Sequence, residues 1–188
     1  MPSVTATGNE VVYQIDHDNR LIGFNSEWDA FAVTNDSPHL VHGNIIGQLL
    51  WDFIQDPETH HLHQTLLQRV RQQQRPIILP FRCDSATLRR FMQMEILPLP
   101  KGTVEYRCLT QRTETREAVS LLEPNAKRSD QGQLLRMCSW CKKIAVNDDW
   151  MEVEDAIRQL QLFASATLPG ISHTMCDACL HKLSMEPD

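Results

Sequence analysis

Two closely spaced cysteine pairs constrain this chain more than any other feature of its sequence. Cys138 and Cys141 form the first pair, and Cys176 and Cys179 form the second after 34 intervening residues. Two residues between cysteines let both thiolates reach one ion from a single tight turn. Two such pairs complete the tetrahedral sulfur shell that zinc favours. The spacing therefore predicts a structural zinc site formed by these four cysteines.

His173 lies three residues before the second pair and is a further candidate at this site. It could replace one cysteine as a ligand, hydrogen-bond to a ligand from behind, or lie on the surface. The latter two roles are favoured because four cysteines already suffice. Lys142 and Lys143 follow the first pair directly and are expected to offset the charge of four thiolates on a dication.

Iron, an iron–sulfur cluster and a disulfide switch are the alternatives to zinc. Iron–sulfur proteins usually space their cysteines differently. A thioredoxin-like CxxC pair expects a βαβ setting, which the residues around Cys138 do not provide. The first ten residues have no secretory-signal pattern, so we expect a reducing cytoplasm, where close cysteines more often bind metal than pair. No apolar run approaches the roughly 18 residues of a membrane span, so no membrane partner is expected.

The order of predicted elements indicates an α+β fold. Residues 10–24 alternate as two strands, and a short helix follows, with Ser26 and Asp29 as its capping box. A longer helix is predicted from Pro57 to about Gln74, and three strands follow it. The strand pattern places Cys83 and Cys108 inward, where they are expected to be inert buried thiols or, if the strand order makes them neighbours, a redox-active pair. This order predicts an antiparallel sheet with helices grouped on one side.

The remaining residues are predicted as a linker and a small second module. Residues 113–136 are mostly polar, with a possible short helix that ends at Leu122. Its apolar residues Val119, Leu121 and Leu122 have no obvious core and are expected to be exposed at a dimer interface. Within the module, a hairpin is predicted to turn at residues 147–149, a helix to run from Glu152 to Phe163, and a last helix to begin near Cys179.

Residues 10–112 resemble a PAS domain, a small sensor fold of bacterial signalling proteins. The segments YQIDHDNRLIGFNSEWDAFA (13–32) and IIGQLLWDFI (45–54) carry this resemblance, together with the helix and three strands that follow. It implies sensing, dimerisation or partner docking. It also implies a pocket that holds haem, flavin or a small metabolite, or that is simply packed. The flavin photosensor needs a reactive cysteine in the mid-domain helices, and residues 26–74 contain none.

Three histidines bear on the haem alternative. His60, His61 and His63 lie on the helix that supplies the haem ligand in haem-binding PAS domains. The other interpretation is a solvated first helical turn, since three histidines within four residues cannot all face a core. We favour the solvated turn because no second feature of the sequence supports haem.

The cysteine-bearing segment is similar to a module at the C-termini of some bacterial PAS sensors and response-regulator-like proteins. The matching elements are CSWCKKI (138–144), Trp150, VEDAIRQL (153–160) and SHTMCDAC (172–179). A tight turn at the first pair and a helix start at the second also resemble a treble-clef zinc finger. The resemblance implies metal binding but no settled activity.

No nucleotide-binding, hydrolase, metalloprotease or kinase motif occurs, which predicts that the chain is not an enzyme. Residues 137–188 carry 4 Lys or Arg against 8 Asp or Glu, so nucleic acid is an unlikely partner. The sequence predicts a cytoplasmic, homodimeric regulatory protein with a PAS-like sensor domain (10–112), a linker (113–136) and a zinc-binding interaction module (137–185). Its alternatives are a zinc-dependent nucleic-acid-binding regulator and a thiol-based redox sensor that releases zinc on oxidation.

Overall fold

A computed structural model describes residues 10–54, 56–123, 125–129, 134–162 and 167–184. The strands are β1 (Glu10–Ile15), β2 (Leu21–Phe24), β3 (Ile77–Arg82), β4 (Leu88–Pro98), β5 (Val104–Thr115), β6 (Leu135–Cys138), β7 (Ile144–Val146), β8 (Asp149–Met151) and β9 (Ile171–Thr174). The helices are α1 (Ser26–Thr34), α2 (His42–Ile45), α3 (Pro57–Gln73), α4 (Val153–Gln159) and α5 (Asp177–Ser184). The predicted α+β class is confirmed. Among these helices, none has the length and apolar character to cross a membrane.

The contacts of the chain divide it into two units. The N-terminal unit comprises residues 10–81 and 91–113, and the C-terminal unit comprises residues 82–90 and the described residues from 114 onward. The tip of the β3–β4 hairpin therefore groups with the cysteine-bearing segment. The predicted boundaries at residues 112 and 137 stay a prediction about which parts fold independently.

The five-stranded sheet has the order β2-β1-β5-β4-β3. β1 pairs antiparallel with β2 on one side and with β5 on the other, which places Tyr13 opposite Phe24 and Tyr106. Buried positions of β1 and β4 alternate with more exposed ones, as the period of a half-buried strand requires. In the N-terminal unit, the fully buried side chains include Ile15, Val70 and Tyr106.

The N-cap of helix α1 lies one residue earlier than the sequence predicts. Asn25, not Ser26, is the N-cap, and its side-chain oxygen accepts from the main-chain N–H of Trp28 at 3.2 Å. The same oxygen accepts from Val12 N at 3.0 Å, while Asn25 Nδ2 donates to Glu10 O at 2.7 Å. The predicted capping box at Ser26 is therefore wrong, because Asn25 caps the helix and binds β1 with one side chain.

Helix α3 is confirmed, with Asp56 as its N-cap and Pro57 at its first position. Arg71, near its C-terminal end, holds two turns of the N-terminal unit. Its guanidinium donates to Asp16 O at 2.8 Å, to Asn19 Oδ1 at 2.9 Å and to Gly102 O at 2.9 Å. The half-buried Arg71 thus fixes both the turn after β1 and the turn before β5.

The C-terminal unit contains a four-stranded sheet of order β8-β7-β6-β9. The predicted hairpin is confirmed as β7 and β8, and the predicted helix after it is α4, which ends at Gln159. Phe163, the predicted end of that helix, lies outside the described residues. The parallel pairing of β6 with β9 was not predicted, since neither segment has a strand pattern long enough to recognise.

The segment after Thr113 differs from the prediction. β5 continues to Thr115, and a 3-10 turn at Ser120–Leu122 replaces the expected short helix. Val119 and Leu121 are buried in a core with Met137, Ile144 and residues of α4. These two apolar residues were expected to be exposed at a dimer interface. That expectation is wrong, because they pack inside the C-terminal unit.

Candidate metal centre

The first cysteine pair is formed by a tight turn between β6 and β7. Cys138 is the last residue of β6, and its main-chain N–H donates to Lys143 O at 2.8 Å. Lys142 closes the turn in the left-handed conformation, with φ of 62° and a bond from its N–H to Cys138 O at 3.0 Å. We call residues 138–143 the cysteine turn. It directs the Cys138 and Cys141 thiols to one side.

The second pair flanks the start of α5. Cys176 directly precedes the helix, and Cys179 lies in its first turn. The two pairs meet because β6 and β9 run in parallel, with Cys138 in register with Thr174. Ser139 N donates to Thr174 O at 2.8 Å, which joins the cysteine turn to the residues just before Cys176.

The four cysteine sulfurs form one compact cluster. All four Sγ atoms lie within 4.8 Å of one another, and the Sγ atoms of Cys141 and Cys176 are 3.8 Å apart. Cys138 and Cys176 are buried, while Cys141 and Cys179 are half-buried. No disulfide joins any of the six cysteines, all of which lie in the described residues.

This geometry fits a tetrahedral metal ion. A zinc–sulfur distance of about 2.3 Å places sulfurs about 3.8 Å apart at the corners of a tetrahedron. The Cys141–Cys176 separation has this value. The four cysteines could therefore hold a metal ion such as zinc, and the predicted ligand set is brought together as one group.

The thiols polarise one another strongly. Hydrogen bonds from the thiols of Cys141 and Cys179 lower the pKa of Cys138 far below its usual range. Its sulfur also accepts from the main-chain N–H of Cys176 at 3.4 Å. The bond to Cys138 raises the pKa of Cys141 to about 12 and raises the pKa of Cys179 well above its ordinary value. Negative charge thus concentrates on Cys138, and a bound cation would let all four sulfurs ionise.

His173 is exposed on β9, in register with Met137. It is not a member of the group of ligand atoms that lie within 4.8 Å of one another. The four-cysteine ligand set is complete without it.

The three histidines of α3 have different surroundings. His61 is exposed, and the ring of His60 meets Trp51 edge-on at 4.5 Å. Only His63 is buried, with its ring centroid 6.0 Å from that of Tyr106. Burial, with a smaller contribution from His60, lowers the pKa of His63 to about 4. The haem role remains a prediction from the resemblance, and among these residues His63 is the one that faces the core.

The two remaining cysteines lie outside the cluster. Cys108 is buried on β5, as predicted, and Cys83 is half-buried in the β3–β4 hairpin. Burial raises the pKa of the Cys83 thiol, although Lys142 and Arg90 act in the opposite direction. Both thiols are therefore expected to be poor nucleophiles.

A set of ion pairs beside the cysteine turn was missed by sequence reasoning. Arg82 donates its main-chain N–H to Trp140 O at 2.9 Å, and its guanidinium binds Asp84 and Glu152. Arg116 pairs with Glu154 at 3.0 Å and lies 3.5 Å from Asp84. Partners such as Arg82 and Glu152 are 70 residues apart, so no local pattern could have revealed them.

No protein-family model matches the chain, and no curated protein matches it either.

Proposed function

We propose that this chain is a non-catalytic regulatory protein of the cytoplasm. In this proposal, Cys138, Cys141, Cys176 and Cys179 hold one structural zinc ion in a protein-interaction module, and the N-terminal unit is a PAS-like sensing and dimerisation domain. The observation that carries the proposal is the cluster of four cysteine sulfurs within 4.8 Å of one another.

The sulfur spacing supports a single ion over the alternatives. An iron–sulfur cluster places several iron and sulfide atoms between its cysteines, which would hold the sulfurs farther apart than this cluster does. Cys141 and Cys176 are 3.8 Å apart and are therefore not joined by a disulfide, so the cluster as it stands offers its four thiols to an ion. Four protein ligands also leave no open position for substrate or water, which is typical of structural rather than catalytic zinc.

The elements around the cysteines support a treble-clef-like module. The first pair lies in a tight turn between two strands, and the second pair lies at the start of a helix. These are the two features on which the resemblance to a treble clef rests. The strand β9 directly before the second pair adds a main-chain connection between the two halves.

The element order of the N-terminal unit supports the PAS-like interpretation. Two strands, short helices, the long helix α3 and three strands follow one another as the resemblance implies. Its core contains a stacked pair of tyrosines, Tyr13 and Tyr106, with ring centroids 4.6 Å apart, and Trp28 packs edge-on against Tyr13. Such a core can be simply packed or can hold a small ligand. Sensing and dimerisation therefore stay part of the proposal.

Metal analysis tests the proposal directly. Protein purified under reducing conditions should contain one zinc per chain, and Cys176→Ser should lose it. Cys108→Ser is the matched control, since it removes a buried cysteine outside the cluster and should retain the metal. Zinc-free wild-type protein that takes up no zinc on titration would overturn the proposal.

Three further measurements test the proposal and its rivals. Peroxide can reach Cys141 and Cys179, because both are partly accessible. A structural zinc ion should remain bound during mild hydrogen peroxide treatment, whereas release of zinc would favour a redox sensor. Light scattering should give a dimer at micromolar concentration. A gel shift with DNA or RNA at low salt should show no binding, because the cysteine-bearing segment is acidic.

A further inference from the structure

The tip of the β3–β4 hairpin, residues 82–90, is held by main-chain hydrogen bonds inside the C-terminal unit. Within the hairpin tip, Cys83 N donates to Arg90 O at 3.0 Å and Ser85 N donates to Leu88 O at 2.9 Å. Outside it, the N–H groups of Arg116 and Val119 donate to the carbonyls of the hairpin tip at Thr87 and Ala86, both at 3.0 Å. The strand-to-turn segment 116–119 therefore clamps the hairpin tip.

The side chain of Arg116 reinforces this clamp. Its guanidinium donates to Ser85 O at 2.5 Å and to Ala86 O at 3.3 Å. It also pairs with Glu154 in the first turn of α4 and approaches Asp84. Only 7% of the Arg116 side chain and 1% of the Asp84 side chain are exposed, so this charge network is largely removed from water.

Arg82 connects the same hairpin tip to the cysteine turn. Its main-chain N–H donates to the carbonyl of Trp140, which lies between the ligands Cys138 and Cys141. Its guanidinium joins Asp84 to Glu152, the N-cap residue of α4. Burial alone would lower the pKa of Arg82, but its bonds to Asp84 and Glu152 outweigh this and raise the pKa.

The conformation of the cysteine turn depends on what its thiols bind. Binding of a structural zinc ion is coupled to folding in small modules. Without the ion, the two metal–sulfur bonds at Cys138 and Cys141, on either side of Trp140, no longer fix the cysteine turn. The carbonyl of Trp140, which accepts from the Arg82 N–H, would then lose its fixed position. The hairpin tip would lose the anchor that this hydrogen bond provides.

We propose that metal binding at the four-cysteine centre controls the order of the β3–β4 hairpin tip. The metal-bound centre holds Trp140 and α4 in place, and Arg82 and Arg116 hold the hairpin tip against them. Loss of the metal releases residues 82–90. This inference rests on the proposed zinc site and adds a metal-dependent conformational switch to it. β3 and β4 each have residues in both units, so the switch acts at the ends of two strands of the five-stranded sheet.

Hydrogen exchange on the full chain tests the inference. Zinc-bound protein is compared with protein treated with a zinc chelator under reducing conditions. The main-chain amides of Arg82, Arg116 and Val119 should exchange about ten-fold faster or more after chelation. Helix α3 in the N-terminal unit is the internal control and should keep its protection.

Variants of Arg82 separate the hairpin tip from the metal. Arg82→Met should retain one zinc per chain while the hairpin tip exchanges faster in the metal-bound protein. Arg82→Lys, which keeps the charge, should give an intermediate exchange rate and serves as the reference if Arg82→Met folds poorly. Unchanged protection of residues 82–90 after chelation, with faster exchange in residues 135–184, would overturn the inference and leave the proposed zinc site standing. A protein that binds no zinc at all would overturn the proposed function first.

Discussion

The main-chain N–H of Arg82 donates to the carbonyl oxygen of Trp140 at 2.9 Å, which connects the β3–β4 hairpin to the turn that carries the first cysteine pair. The two residues are 58 positions apart in the sequence, so the bond is a product of tertiary folding alone. The guanidinium of Arg82 strengthens the connection through Asp84 and Glu152. The metal centre and the hairpin tip thus belong to one packed unit.

The buried carboxylate of Asp84 should be important for the stability of the C-terminal unit. Asp84→Asn removes the charge that compensates Arg82 and Arg116, whose side chains are 9% and 7% exposed. Arg82 keeps Glu152 and Arg116 keeps Glu154, but both lose their most buried partner, which should cost about 1.5–3 kcal/mol. Chemical denaturation of the zinc-bound protein should show this loss.

The matched control for Asp84 is Asp155→Asn, which breaks an exposed pair with Arg158. Exposed pairs contribute about 0–1 kcal/mol, so this variant should unfold almost like the wild type. Equal unfolding free energies for the two variants would contradict the importance of the buried network.

Asn25 should stabilise the N-terminal unit more than its neighbour Ser26. Asn25→Ala removes the cap of α1 and both bonds to β1, and should lower the free energy of unfolding by about 2 kcal/mol. Ser26 is exposed and is not the N-cap, so Ser26→Ala should change it by less than about 0.5 kcal/mol. Thermal denaturation monitored by circular dichroism measures both. A larger loss for Ser26→Ala would restore the capping box predicted from the sequence.

The hydroxyl of Tyr106 provides a test for a ligand in the core of the N-terminal unit. Tyr106 is fully buried, and among the described residues its Oη atom has no hydrogen-bond partner. An unpaired buried polar group costs about 1–3 kcal/mol, so Tyr106→Phe should keep or raise the stability of a simply packed core. A lowered melting temperature would instead mean that a bound molecule forms a hydrogen bond with this hydroxyl. Thermal unfolding of the wild type before and after extraction of small molecules would check for such a molecule.

His63 should make the N-terminal unit less stable in acid. Burial lowers its pKa from 6.5 to about 4, so the unfolded chain binds more protons than the folded chain between these two pH values. The contribution of neutral His63 to the free energy of unfolding is therefore complete above pH 6.5 and falls as the pH drops towards 4. The shift corresponds to about 3 kcal/mol.

Urea titration at several pH values measures this effect. The NMR signal of the Trp28 indole N–H, which donates to Leu40 O at 2.7 Å, reports on the N-terminal unit alone. His63→Leu should remove most of the pH dependence between 6.5 and 4. His61→Leu is the control, because His61 is exposed and should retain the full dependence. Identical pH profiles for both variants would show that His63 does not carry the effect.

Local sequence patterns predicted the elements and the ligand set well. The alternation of β1, the Asp56-Pro57 start of α3 and the Asn147-Asp148-Asp149 turn were recognisable because each depends on residues that are neighbours in the chain. The four cysteines were recognisable because two-residue spacing is itself the geometric requirement for sharing one ion.

Other features depended on partners far apart in the sequence. Which of His60, His61 and His63 is buried followed from the packing of α3, since the three lie within four residues of one helix. The burial of Val119 and Leu121 followed from a core supplied by β6, β7 and α4, so their isolated apolar pattern was misleading.

The sequence by itself determined which four cysteines could hold a metal ion and the order of the elements, because cysteine identity, spacing and strand or helix period are local properties of the chain. Only the tertiary structure decided that the hairpin tip belongs with the metal centre. That decision depends on Arg82, Asp84, Arg116, Glu152 and Glu154, whose charges are separated by up to 70 residues along the chain. Such charges become partners only when folding removes them from water together, because burying any one of them alone would be costly.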